Sequence, residues 1–283
     1  MTETSPETTP EPQPGSTPPM PDPAMPGPAM PGEDRLRKDA EGAWMEMLTT
    51  AFWAIAVALV IRTFLFEPFN IPSGSMKPNL LIGDYIFVSK FSYGYSRYSF
   101  PFGLPVIAGP ERWLGHDPKQ GDVAVFKLPT DTGIDYIKRV IGRPGDTIQM
   151  RAGRLYVNGT IVPRRPLGFT MDHRPDGDDI RMTVYEETLP DGVKHTIWEE
   201  GDDGPLDNTA IYDVPPGHYF MMGDNRDNSQ DSRVLDMVGY VPLQNFVGRA
   251  ERIFFSTNGS AHFWEFWKWP VTVRYSRLFK AVQ

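Results

Sequence analysis

Ser73-Gly74-Ser75, Lys138 and the polar run from Gly223 to Arg233 hold the residue types from which amide hydrolysis can be built. Such a reaction needs a nucleophile, a base to activate it and donors for the developing oxyanion. Other routes to the same chemistry are poorly served by this chain. It has no cysteine, which removes a thiol nucleophile, disulfides and thiolate metal sites. It contains neither the His-Glu-x-x-His zinc signature nor the Gly-x-Ser-x-Gly elbow of the α/β-hydrolases. The five histidines (His116, His173, His195, His218, His262) are scattered, with no two at ligand spacing. A Ser-His-Asp triad stays open, because its members can lie far apart in a chain, but no local pattern marks one. The other arrangement to weigh is a serine activated by a lysine.

The elements that must position these groups are legible in outline. The 283 residues suffice for a real core. Net charge is −8, but the first 34 residues contribute six acids and no Lys or Arg, so the remainder carries −2. A nearly neutral body gives no electrostatic support to a nucleic-acid partner. Residues 1–34 hold eleven of the 29 prolines and no aromatic residue, so this tail reads as disordered and cytoplasmic.

Arg35, Arg37 and Lys38 follow the tail, and then an apolar stretch from Leu48 to Phe66. Its 19 residues would span roughly 28 Å as a helix, close to the hydrocarbon thickness of a bilayer. The only formal charge within it, Arg62, lies near one end, where its head can snorkel to the interface. The preceding basic cluster favours a cytoplasmic N-terminus, with the rest of the chain on the other side. We therefore expect a transmembrane anchor over 44–66. A cleaved signal fits less well, because Glu67-Pro68-Phe69-Asn70 follows where small residues would stand.

Beyond the anchor, short β-type runs alternate with turns: Asp84–Lys90, Asp122–Lys127, Thr147–Arg151 and Leu155–Val162. Asn158-Gly159 between apolar pairs is a hairpin signal. The expectation is a mainly β, antiparallel extracytoplasmic domain built from 67–163 and 214–283, with an inserted β subdomain over 164–213. The acidic pairs in that insertion (Asp178-Asp179, Glu199-Glu200, Asp202-Asp203) read as solvated faces rather than a metal site. The C-terminal Phe263-Trp-Glu-Phe-Trp-Lys-Trp-Pro270 suits a bilayer headgroup region or packing on the β body.

Four blocks now carry a resemblance. Ile71-Pro-Ser-Gly-Ser-Met-Lys-Pro-Asn-Leu-Leu-Ile-Gly-Asp84 is similar to the nucleophile box of bacterial type I signal peptidases (leader peptidases, family S26). Gly121-Asp-Val-Ala-Val-Phe126 resembles the strand before their base box, and Tyr136-Ile-Lys-Arg-Val-Ile-Gly-Arg-Pro-Gly-Asp146 the base box itself. Gly223-Asp-Asn-Arg-Asp-Asn-Ser-Gln-Asp-Ser-Arg233 resembles their third signature. The blocks stand in the family's order behind an anchor, and the likeness runs from about Leu48 to Phe255. It implies the signal peptidase/LexA-like fold and a serine endopeptidase of the inner membrane that removes signal peptides from exported preproteins.

By the same resemblance Ser75 is the nucleophile and Lys138 the general base. Ser73 and the backbone N–H of Ser75 make the oxyanion hole, and Ser229 hydrogen-bonds and orients the lysine. Asp231 and Arg233 form a structural ion pair, with Asp224, Arg226 and Asp227 supporting that loop. Phe69, Ile71, Met76, Leu80, Ile86, Val125, Tyr136 and Ile137 match the walls of a pocket for small residues, usually Ala, at the first and third positions before the cut. The chemistry agrees: a lysine acts as a base near neutral pH only if burial lowers its pKa, and Ile137, Val140 and Ile141 can bury it. Arg139, on the opposite face of a strand, would point to solvent or a carboxylate. No cofactor and no metal are implied, so a chelator should leave activity intact. Asn79 stands where the family most often has Thr. Two competing readings are a self-cleaving repressor-type Ser-Lys protease and a membrane-anchored binding domain with a decayed dyad. The anchor argues against the first, and the joint presence of Ser73, Ser75, Lys138 and Ser229 against the second.

Overall fold

The computed structural model describes residues 33–100, 112–173, 177, 179–260, 262 and 264–282, with the side chains of α1 described from Ala43 onward. The Pro-rich tail up to residue 32, Asp178 and Phe263 lie outside the described residues. α1 runs Glu33–Phe64, and its Ala43–Phe64 portion is the one described helix long and apolar enough to cross a membrane. The helix stops two residues short of the apolar stretch, because Phe66 already opens β1 (Phe66–Asn70) and pairs with Ser89. Among the described residues the chain divides between Ala54 and Ile55 into two units.

Within the larger unit the strands are β1, β2 (Asp84–Ser89), β3 (Val123–Lys127), β4 (Asp135–Gly142), β5 (Thr147–Arg151), β6 (Arg154–Val157), β7 (Thr160–Ile161), β8 (Arg164–His173), β9 (Asp179–Thr188), β10 (Lys194–Glu199), β11 (Tyr212–Asp213), β12 (His218–Met222), β13 (Val241–Pro242) and β14 (Phe246–Ser256). They form a seven-stranded sheet ordered β1-β2-β14-β3-β4-β12-β13, a four-stranded sheet β11-β5-β6-β7 and a three-stranded sheet β10-β9-β8. Every pairing between these strands is antiparallel.

Local sequence explains several of these elements. Alternate residues of β5 and β6 are buried (Ile148, Met150, Leu155, Val157), as expected of a sheet covered on one face. Asn158 and Gly159 both adopt positive φ (52° and 72°), which lets β6 and β7 join in a two-residue hairpin. β3 is buried along nearly its whole length, so Val-Ala-Val-Phe shows no alternation. Ile141, Phe220 and Met222 of the large sheet share one core cluster with Ile148, Leu155 and Val157.

The inserted stretch divides differently from the expected unit. β8, β9 and β10 make the separate sheet, whereas β11 returns to pair with β5. The acidic pairs are corrected in part. Glu200, Asp202 and Asp203 are exposed, but Glu199 closes β10 fully buried, where Arg164 reaches it at 3.4 Å. An inward-facing position on that strand, not local polarity, decides its burial.

Candidate active site

Ser75 lies in the loop that joins β1 to β2. The loop is closed at its base by two backbone bonds, Ile71 N–H to Asp84 at 2.8 Å and Gly83 N–H to Ile71 at 3.0 Å. Asn225 grips its tip: the Asn225 N–H donates to the Ser75 carbonyl at 3.0 Å and its amide to the Gly74 carbonyl at 3.2 Å. Such close approach needs the glycine just before it. A Cβ on Gly223 would stand 2.6 Å from the Ser75 carbonyl oxygen and 2.2 Å from Ser229 Oγ.

Lys138 projects from β4, opposite Ala124 of β3, and is 4% exposed. Its Nζ donates to Ser75 Oγ at 2.7 Å. Burial pushes its pKa down from 10.5 to about 8; Asp231 and Asp224 oppose that shift, and Arg233 adds to it. Ser73 Oγ lies 3.3 Å from Ser75 Oγ. The Ser75 N–H meets no acceptor among the described residues, so it stays available as a donor. An open cleft of about 380 Å³ passes over this group, lined by Ser73, Ser75, Lys138, Tyr136, Ile137 and Gln230 among others.

The third block frames the site from behind. Asp231 and Arg233 are buried and paired through two bonds of 2.9 Å. Burial alone would raise the Asp231 carboxyl, but Arg233 and the Gly223 N–H hold it below the usual carboxylate range. Arg139, next to Lys138 but fully buried, makes a bidentate pair with Asp224 at 2.8 Å on both arms. Of its two expected directions, the carboxylate is the one realised. Asp224 in turn accepts from Asn79 at 2.7 Å, and the same amide reaches the Thr196 carbonyl of β10 at 2.7 Å. Arg226 pairs with Glu187 of β9, and His195 of β10 lies between Glu187 (3.3 Å) and Asp224 (3.9 Å). Burial and Arg139 push the His195 pKa down, so the ring is neutral at pH 7.

Not every expected residue falls where the sequence reading put it. Ser229 does not hold the lysine: its buried Oγ makes no hydrogen bond of proper geometry. Instead it sits near enough to Asp231 to favour that carboxylate's ionised form. Of the pocket residues, Tyr136 and Ile137 line the cleft. Ile71, Met76, Leu80, Ile86 and Val125 are core, clustered with Val88, Val123 and Val247 beneath it, and Phe69 packs against them. Bulky apolar side chains on strands flanking a cleft serve the core first when both faces of the sheet are covered. Conversely, Ile134, Asp135, Asn228 and Gln230 line the cleft and were not anticipated; their neighbours in the base and third blocks were the available signal. Ser75 makes no hydrogen bond to a histidine among the described residues, and the His218 ring bonds its local Pro216 carbonyl.

For a metal, the described residues offer one acidic group: Glu199, Asp207 and Asp227 bring carboxylate oxygens within 4.8 Å of one another. Burial raises the Glu199 carboxyl well above the usual carboxylate range against the pull of Arg226 and Arg164, and burial raises Asp207 as well, so the group favours protons over a compact negative charge.

The family model described as "Signal peptidase, peptidase S26" matches residues 44–255. The chain belongs to this family. Signal peptidase I of Rickettsia typhi is 39% identical over 81% of this chain and 90% of its own length. Signal peptidase I of Rickettsia conorii is 40% identical over 72% of this chain and 77% of its own. A solved signal peptidase I from Enterococcus faecalis is 26% identical, covering 47% of this chain and 97% of its own with a TM-score of 0.28. As a peptidase S26 member this chain is a type I signal peptidase, a serine endopeptidase, and its mainly β body with an apolar N-terminal helix accords with that assignment.

Proposed function

We propose that Ser75 is the nucleophile and Lys138 the general base that cleave signal peptides from exported preproteins after a small-x-small site such as Ala-x-Ala. One observation carries the reading: the 2.7 Å bond from a buried lysine, its pKa near 8, to Ser75 Oγ. A fraction of Lys138 is then neutral at pH 7 and can take the serine proton as Oγ attacks the scissile carbonyl. The proton passes from Lys138 to the leaving amine, and a water, deprotonated by the same lysine, hydrolyses the acyl-enzyme. The Ser75 N–H and the Ser73 hydroxyl donate to the oxyanion. Tyr136 and Ile137 border the peptide in the cleft and leave room for small side chains only.

In this reading α1 crosses the inner membrane once, the N-terminus is cytoplasmic and the catalytic unit works on the opposite, extracytoplasmic side. The signal peptide is presented from the bilayer beside the anchor. The exposed apolar surface of the helix supports the span, and the basic cluster before it supports this orientation.

The experiment is cleavage of an Ala-x-Ala preprotein by detergent-solubilised protein beside Ser75→Ala and Lys138→Ala. Cleavage after the second Ala by the unaltered chain alone is expected. Activity that survives in folded Lys138→Ala would reject the base assignment.

A further inference from the structure

A second pocket, of about 330 Å³, opens where α1 ends, with Arg62, Lys90, Arg97 and Lys127 against two carboxylates, Glu67 and Asp135. The cations are not matched one to one. Glu67 takes both Arg62 at 3.3 Å and Lys90 at 2.9 Å, and Asp135 takes Lys127 at 2.9 Å. Arg97 has no carboxylate among the described residues; its guanidinium bonds the Tyr98 hydroxyl and lies over that ring, 4.6 Å from the centroid. The pocket thus holds two positive charges in excess, in a chain whose net charge is −8.

Its position is set by the helix end. The Tyr95 hydroxyl caps the Phe64 carbonyl at 2.7 Å, and the Lys90 N–H bonds the Leu65 carbonyl at 3.0 Å. Arg97 opens the short 3-10 turn Arg97–Ser99, whose last carbonyl anchors the buried Lys90 Nζ at 2.6 Å. Beside the pocket, Phe87 and Phe91 pack around Phe66 and remain 38% and 44% exposed. A cationic cavity with an exposed aromatic apron, at the last turn of an apolar helix, matches an amphiphilic anion. A free phosphate would make no use of the apron.

We propose that this pocket binds the phosphate headgroup of an anionic phospholipid, with the acyl chains lying along Phe66, Phe87 and Phe91. The proposal rests on the reading that α1 crosses a bilayer. Arg62 and Arg97 supply the charge that no protein carboxylate fully claims. Asp135 lines both this pocket and the cleft over Ser75, so a headgroup that draws on Lys127 acts on the residue at the cleft's margin.

The test uses the full chain in vesicles with spin-labelled phosphatidylglycerol or phosphatidylcholine, and reads the immobilised lipid fraction. Wild type should immobilise phosphatidylglycerol preferentially, and Arg62→Gln and Arg97→Gln should each lower that preference about five-fold. Arg165→Gln with Lys194→Gln, on the three-stranded sheet and outside the pocket's lining, should leave it unchanged. Equal preference in the Arg62→Gln/Arg97→Gln variant, or abolition by inorganic phosphate alone, overturns the lipid assignment. So does an unchanged lipid preference accompanied by a new KM difference between preproteins with acidic and neutral mature ends, which would assign the pocket to substrate. Flotation with plain phosphatidylcholine vesicles separates the two readings. A chain that fails to float overturns the anchor and the pocket together, whereas one that floats without lipid preference overturns the pocket alone.

Discussion

Lys77 and Asp172, 95 residues apart, form an ion pair of 2.6 Å that ties the nucleophile loop to β8 of the three-stranded sheet. Asp172 is 2% exposed and its second oxygen has no partner, so the carboxylate depends on this one lysine. Lys77→Met should therefore destabilise the detergent-solubilised chain by about 3 kcal/mol, because it strands a buried charge. Asp172→Asn should cost less, since the lysine can still reach water. The double variant Lys77→Met/Asp172→Asn should be more stable than Lys77→Met alone, since it leaves no unpaired buried charge. Urea denaturation of the four proteins gives the coupling directly, and simple additivity would mean that the pair is not linked.

The depressed Lys138 pKa makes two statements about pH. With Lys138 as the proposed base, activity requires the neutral amine, so kcat/KM should rise about tenfold per pH unit below 8 and level off above it. Stability runs the same way. Between pH 8 and 10.5 the unfolded chain binds a proton at this site that the folded chain does not, so folding strengthens as pH rises through that window. Below it Lys138 costs the fold about 3 kcal/mol. Lys138→Met should then be inactive yet more stable than the parent at pH 7, with the gap closing by about pH 10.5. Thermal melts at several pH values check the sign, and a Lys138→Met variant less stable at pH 7 would contradict it.

In the proposed mechanism Ser73, whose hydroxyl lies 3.3 Å from Ser75 Oγ, donates to the oxyanion and takes no part in the proton transfer. Ser73→Ala should lower kcat by about 10²-fold with little change in KM, whereas Ser73→Thr should retain most activity. The pH profile of Ser73→Ala should keep its midpoint. A shifted midpoint would mean that the hydroxyl acts on Lys138 and not on the carbonyl oxygen.

Asn79 joins the nucleophile loop to Asp224 and to β10 with one amide. Asn79→Ala leaves the buried Asp224 oxygen and the Thr196 carbonyl short of a donor, at a cost of about 1–3 kcal/mol. A fall in kcat, with preprotein KM preserved, is the expected signature of a loosened Ser75. Equal kcat in a folded variant would confine Asn79 to stability.

The aromatic C-terminal stretch divides into two roles. Trp269 stacks toward Phe255 at 4.9 Å and belongs to the body, whereas Trp264, Phe266 and Trp267 are more than 60% exposed. Trp264→Ala with Trp267→Ala should weaken liposome binding of a chain lacking α1, and Trp269→Ala should instead lower its melting temperature. Unchanged liposome binding would remove the membrane role from this stretch.

What the sequence determined by itself is what local chemistry can encode. The predominantly apolar 22-residue segment Ala43–Phe64 marks a helix able to span a membrane, because backbone groups must be satisfied internally in lipid. Asn158-Gly159 marks a hairpin, because both residues tolerate positive φ. The residue types and order of the four blocks named the family and singled out Ser75 and Lys138. The tertiary structure decided everything that depends on which face of a strand meets which layer. Ile86 and Val125 read from sequence alone as core rather than pocket, their pocket role coming only from the resemblance, and the sheet packing buries both. Glu199 reads as a solvated acid until β10 turns it inward. Ser229 sits in the expected block, packed close to Gly223, but its buried hydroxyl bonds no lysine. Partnerships such as Lys77–Asp172 and Asn79–Asp224 span 95 and 145 residues, and no local periodicity encodes contacts at that range. They exist because the three-stranded sheet packs on the loop between β1 and β2 of the large sheet, where each buried charge must find its partner or cost the fold several kcal/mol.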